Sequence, residues 1–221
     1  MIQDLYTRSL SFIRHHRDGE TADMMRERGL NYNMIYGVSS AILYRYATKI
    51  GKNQELAKML WQENFREAQL LALMVSDSEI ISEEEIEYIV SSFNNHELVE
   101  IASLYFLPNI PNVKGKAYKW IEDNKIFVKM TGYMLLHNIF RHKQDITIYE
   151  FEKFIPSYER DFLHHNFFVR NAVVNAFQEI AFRKPELKKY ITDATKRIIK
   201  RTIGTEFELQ SQDMLHVLNY C

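Results

Sequence analysis

Cysteine is almost missing from this 221-residue chain: there is one, Cys221, at the last position. An intrachain disulfide is therefore impossible, and a reducing compartment, the cytoplasm, is expected. Proline and glycine are scarce as well, at 4 and 7 residues. A many-stranded β fold needs a turn roughly every 8–12 residues, so this little punctuation argues against one. No apolar run approaches the ~20 residues of a membrane-spanning helix. The opening Met1-Ile2-Gln3-Asp4-Leu5 lacks the basic and apolar regions of a secretion signal. Paired cysteines, His-Glu-x-x-His spacing and glycine-rich phosphate or dinucleotide fingerprints are all absent, so neither metal nor cofactor is expected. His15-His16 and His164-His165 do not replace them, because adjacent residues on a helix point about 100° apart. Cys221 has no base or helix N-terminus near it in sequence, and a catalytic thiol is not expected.

Present instead are an ordinary apolar fraction, 46%, and 26% charged residues, enough for a packed core. The net charge of −1 conceals an asymmetry. Residues 1–113 hold 10 Lys and Arg against 16 Asp and Glu, a net of −6. Residues 114–203 hold 18 against 10, a net of +8, and residues 204–221 add −3. A basic stretch of this size either steers a polyanion or solvates the outer faces of helices.

The periodicity is helical. Phe65, Ala68, Leu71, Ala72 and Val75 form one stripe, and Leu70, Leu73 and Met74 widen it until burial on two sides is required. Ser82 before three glutamates reads as an N-cap with acids in the first turn. Residues 95–107 form a helix stopped by Pro108 and Pro111. Asp123 caps the helix that carries Ile126, Phe127, Met130 and Tyr133. Residues 166–182 and 185–203 give two more, the last closed by Gly204. Paired helices recur roughly every 30–40 residues, the rhythm of helix-pair repeats stacked into a solenoid. Trp61 and Trp120 fall within apolar-periodic segments and read as core.

Leu56-Ala57-Lys58-Met59-Leu60-Trp61 followed by Arg66-Glu67-Ala68-Gln69-Leu70-Leu71-Ala72-Leu73 resembles the AlkD-type DNA alkylation-repair family, the HEAT-like repeat glycosylases. Three later stretches resemble it in the same order. They are Asn94-Asn95-His96-Glu97-Leu98-Val99-Glu100, Asp123-Asn124-Lys125-Ile126-Phe127-Val128-Lys129-Met130 and Phe168-Val169-Arg170-Asn171-Ala172-Val173-Val174-Asn175-Ala176. The likeness spans residues 37–189. It implies an all-α fold, HEAT-like helix pairs in a curved α-solenoid, with residues 1–221 as a single domain.

The resemblance also implies a chemistry, the excision of purines alkylated at N3 or N7. The leaving base is already cationic, so the reaction needs stabilisation of positive charge on the sugar more than it needs an acid. A carboxylate and aromatic faces supply that stabilisation, and a forked Arg holds a phosphate. In this chain the family's first Trp falls on His96, its Asp on Glu100, its Arg on Met130 and its later Trp on Asn175. Glu100 keeps the charge but adds a methylene, a displacement of about 1 Å. His96 keeps a smaller ring, Met130 loses charge and fork, and Asn175 loses the aromatic face. Glu100 and His96 are the catalytic candidates; one turn apart, they also fit a local surface pair. Met130 reads as core, whereas Asn175 either lines a groove or satisfies a neighbouring helix.

The DNA-binding candidates are Lys125, Lys129, Arg170 and the cluster Lys196, Arg197, Lys200 and Arg201, the last four on one helical face. Lys125 and Lys129 either contact phosphate or face solvent. Three readings follow. The first is a protein that binds duplex DNA through a basic concave face, with glycosylase chemistry altered or lost. The second is an active glycosylase for cationic alkylpurines, and the third a non-enzymatic scaffold for a protein partner.

Overall fold

The computed structural model describes residues 2–141 and 146–220, so Cys221 lies outside the described residues. Every regular element among those residues is helical, and none of the helices is long and apolar enough to cross a membrane. The chain divides into two compact units, 1–111 and 112–221. That boundary falls within three residues of the swing in charge. The first unit carries a net −6, and the second, with 18 Lys and Arg against 13 Asp and Glu, a net +5.

The first unit contains α1 (Ile2–His15), α2 (Gly19–Glu27), α3 (Ser40–Ile50), α4 (Gln54–Gln62), α5 (Arg66–Val75), α6 (Glu83–Ser91) and α7 (His96–Tyr105). A short 3-10 turn, Leu107–Asn109, follows α7 and contains Pro108, so the proline ends the helix as expected. Helix α5 is the centre: α3, α4 and α7 pack on it, and every residue but Gln69 is buried. It starts at Arg66 because Asn64 is left-handed (φ 53°) and Phe65 is extended. Ser82 caps α6 in a full capping box with Glu85.

The start of α5 buries two charges. The Glu67 carboxylate, fully buried, accepts the backbone N–H groups of Tyr36, Gly37 and Val38 at 3.0, 2.9 and 3.2 Å. Arg66, also buried, donates to the Val38 carbonyl at 2.7 Å, to Glu67 at 2.9 Å, and from Nε and Nη2 to Glu97 of α7 at 2.9 and 2.6 Å. Position 37 admits only glycine. Its φ is +82°, and a Cβ there would lie 1.9 Å from the Asp18 carbonyl oxygen.

The second unit contains α8 (Val113–Ile121), α9 (Ile126–Arg141), α10 (Ile148–Glu152), α11 (Ile155–Asp161), α12 (Phe167–Arg183), α13 (Pro185–Thr202) and α14 (Glu208–Tyr220). Helix α9 is its core, packed between α8 and α12. Gly132 allows α8 to approach: a Cβ there would sit 2.6 Å from the Ile121 nitrogen. Met130 and Trp120 are buried here, as the sequence predicts. Asn166 caps α12, accepting from Phe168 and Val169, and Gly204 follows α13 at φ +74°.

Candidate nucleic-acid interface

The catalytic candidates lie on α7. The side chain of Asn95 caps this helix by accepting the Leu98 N–H at 3.1 Å. His96 and Glu100 follow one turn apart, and Glu100 is exposed. Desolvation by its surroundings pushes the Glu100 carboxyl above the ordinary glutamate range; the neighbouring His96 opposes this, and the Glu97 charge adds to it. Glu97 itself is committed to structure, accepting from Arg66 and from the Tyr32 hydroxyl at 2.9 Å. This unit also has a groove of about 250 Å3 between α4 and α6, lined by Lys58, Trp61, Glu85, Tyr88 and Ile89. Trp61 is thus half-buried, lining this groove beside Phe93, and not the core residue its apolar neighbours suggest.

The cationic candidates all lie in the second unit, and their side chains meet different fates. Lys196, Arg197, Lys200 and Arg201 emerge on the exposed side of α13, opposite Leu187, Ile191, Ala194 and Ile198, which face the core. Arg197 is held by Glu159 of α11 at 2.6 Å, and Arg201 approaches the same carboxylate at 3.6 Å. Lys196 and Lys200 have no ion pair among the described residues. Lys125 is exposed just before α9. Arg170 is half-buried, donating to the carbonyls of His164 and His165 at 2.6 and 3.0 Å, and its guanidinium lies 5.3 Å from the Phe207 ring.

Lys129 corrects the expectation placed on it. It is 6% exposed, and its amine donates to the Ile121 carbonyl at the end of α8 and to Asp161 at 3.1 Å. The same carboxylate accepts the Tyr133 hydroxyl at 2.7 Å and Arg160 at 2.7 Å. Arg160, Tyr133 and Lys129 together outweigh burial and hold the Asp161 carboxyl below its ordinary range. The amine of Lys129 is thus spent inside the unit, as one of three donors, with Arg160 and Tyr133, to a buried carboxylate.

Grooves open on this unit at two places among the described residues. One, of about 760 Å3, runs between α10, α11 and α13 and includes Glu152, Glu159, Arg160, Arg197 and Arg201. The other, of about 390 Å3, lies between α9 and α12 and is lined by Met134, His137, Asn175, Gln178, Glu179 and Phe182. Asn175 is therefore an exposed groove residue, and its carbonyl oxygen lies 3.4 Å from His137 Nδ1. Sequence reasoning named Asn175 as a possible groove residue and overlooked the residues that share the groove with it. The signal was the spacing 175, 178, 179 and 182, one helical face that breaks the apolar pattern of α12. Among the described residues no group of three His, Cys, Asp or Glu side chains is placed to hold a metal ion.

A family model described as DNA alkylation repair enzyme matches residues 11–206 of this chain. One similar solved structure is described as "A new family of proteins related to the HEAT-like repeat DNA glycosylases with affinity for branched DNA structures". It aligns with a TM-score of 0.75 and 16% identity, over 87% of this chain and 83% of that one. At that identity the likeness shows a shared fold, the all-α HEAT-like repeat architecture read from the sequence. No curated protein matches the chain.

Proposed function

The chain belongs to the DNA alkylation repair enzyme family, and from that premise we propose that its second unit binds DNA through the exposed cations of α13, with glycosylase chemistry altered or lost. The observation that carries this reading is the pairing of a +5 unit with Lys196 and Lys200, two cations on one helix face with no ion pair to a carboxylate among the described residues. Cations at i and i+4 lie one helical turn apart, about 6 Å along the axis, so both can face the phosphates of one strand. The relative's affinity for branched DNA makes junctions, besides duplex, the substrates to compare.

The test is direct titration. Labelled duplex and four-way junction are expected to bind at 50 mM salt, and affinity is expected to fall linearly on a log–log plot as salt rises. No binding at low ionic strength removes this reading in favour of a protein-binding scaffold.

The chemistry is expected to be weak, for a reason that lies in the side chains. Oxocarbenium-like charge on a sugar needs a fixed carboxylate and flanking π faces. Position 175 offers an amide instead of a ring, and position 130 a buried thioether instead of a guanidinium. Release of 7-methylguanine from methylated DNA is therefore expected to be no faster with the wild type than with Glu100→Ala. Release that is fast in the wild type and lost in Glu100→Ala makes the protein an active alkylpurine glycosylase with Glu100 in the sugar-facing role.

A further inference from the structure

We propose that the groove between α9 and α12 accepts one unpaired nucleotide, its base laid on Phe182 and its edge met by the amides of Asn175 and Gln178. The inference deepens the DNA-binding reading and rests on it. Phe182 is 62% exposed, so its ring is open to a ligand in the groove it lines. Its ring is flanked by the Arg183 guanidinium, 5.4 Å from the centroid, and Arg183 is fixed by Glu179 at 2.8 Å. A ring beside a held cation is the usual platform for a base and its phosphate, since every base has a π face and every linkage a negative charge.

The rest of the groove supplies the edge chemistry. Each side-chain amide carries both a donor and an acceptor, which matches the mixed donor–acceptor edge of a nucleobase. Neither Asn175 nor Gln178 spends its amide on another described residue. His137 Nδ1 faces a carbonyl oxygen, so that nitrogen carries the proton in the neutral ring and Nε2 remains an acceptor. Met134 adds an adaptable apolar floor. A base paired within a helix presents neither its face nor its Watson–Crick edge, so the groove selects unpaired nucleotides.

Two labelled probes of equal length decide it, a fully paired duplex and the same duplex with a three-nucleotide single-stranded gap holding 2-aminopurine. The wild type is expected to prefer the gapped probe by about 5-fold or more and to quench its fluorescence on binding. Phe182→Ala is expected to lose both the preference and the quench while keeping its affinity for paired duplex; Phe182→Trp is expected to keep both. Equal affinity of the wild type for the two probes overturns the proposal, as does an undiminished preference in Phe182→Ala. Binding to neither probe removes the DNA reading and this proposal together, whereas binding to both without preference removes this proposal alone.

Discussion

Glu67→Ala is expected to destabilise the protein by about 3–5 kcal/mol, the cost of removing one partner from a buried ion pair. Two losses combine. Arg66, 2% exposed, keeps only Glu97 and one carbonyl around it, and the backbone N–H groups of three successive residues, 36 to 38, lose their acceptor. No side chain nearby replaces it, and water enters poorly beside the fully buried Leu70 and Leu71. Chemical denaturation followed by circular dichroism measures the change, and Glu67→Gln is expected to recover part of it, because the amide oxygen still accepts. A shift under 1 kcal/mol for the alanine variant means that the carboxylate does not hold this loop.

The second large effect is on binding. Lys196→Ala with Lys200→Ala is expected to weaken duplex DNA binding about 30-fold at 0.15 M salt and to flatten the log–log salt slope by about 1.8, two phosphate contacts at 0.9 each. The unfolding free energy is expected to stay within about 0.5 kcal/mol of the wild type, since both side chains are exposed. Arg197→Ala is expected to cost less, because Glu159 already occupies that guanidinium and DNA must compete for it. An unchanged slope in the double variant places the phosphate track elsewhere.

How much of this was legible beforehand depends on the kind of interaction. The helices announced themselves where period and caps agree: the wide stripe of α5, the serine and three glutamates that open α6, and the glycine that closes α13. Met130 read correctly as core from its apolar neighbours. Charges were harder, because a sequence reports a charge without its partner. Lys129 read either as a phosphate contact or as a solvent-facing lysine, and is instead buried against Asp161, 32 residues away. Arg66 and Glu67 were visible as a motif, but their burial depends on Glu97 and on a loop around Gly37. Asn175 was left between two readings, and Gln178, Glu179 and Phe182 were missed, for a similar reason: a polar stripe on an apolar helix acquires meaning only when α9 supplies the opposite wall.

The division at 111/112 leaves the two halves of the chain with opposite excesses of charge, and acid acts on them in opposite senses. Protonating carboxylates relieves crowding in the half where anions outnumber cations. In the other half the same protons deepen an existing surplus, so mild acidification eases the first unit's self-repulsion and aggravates the second's. One solvent change thus burdens only one of two units in a chain whose bulk charge is close to zero.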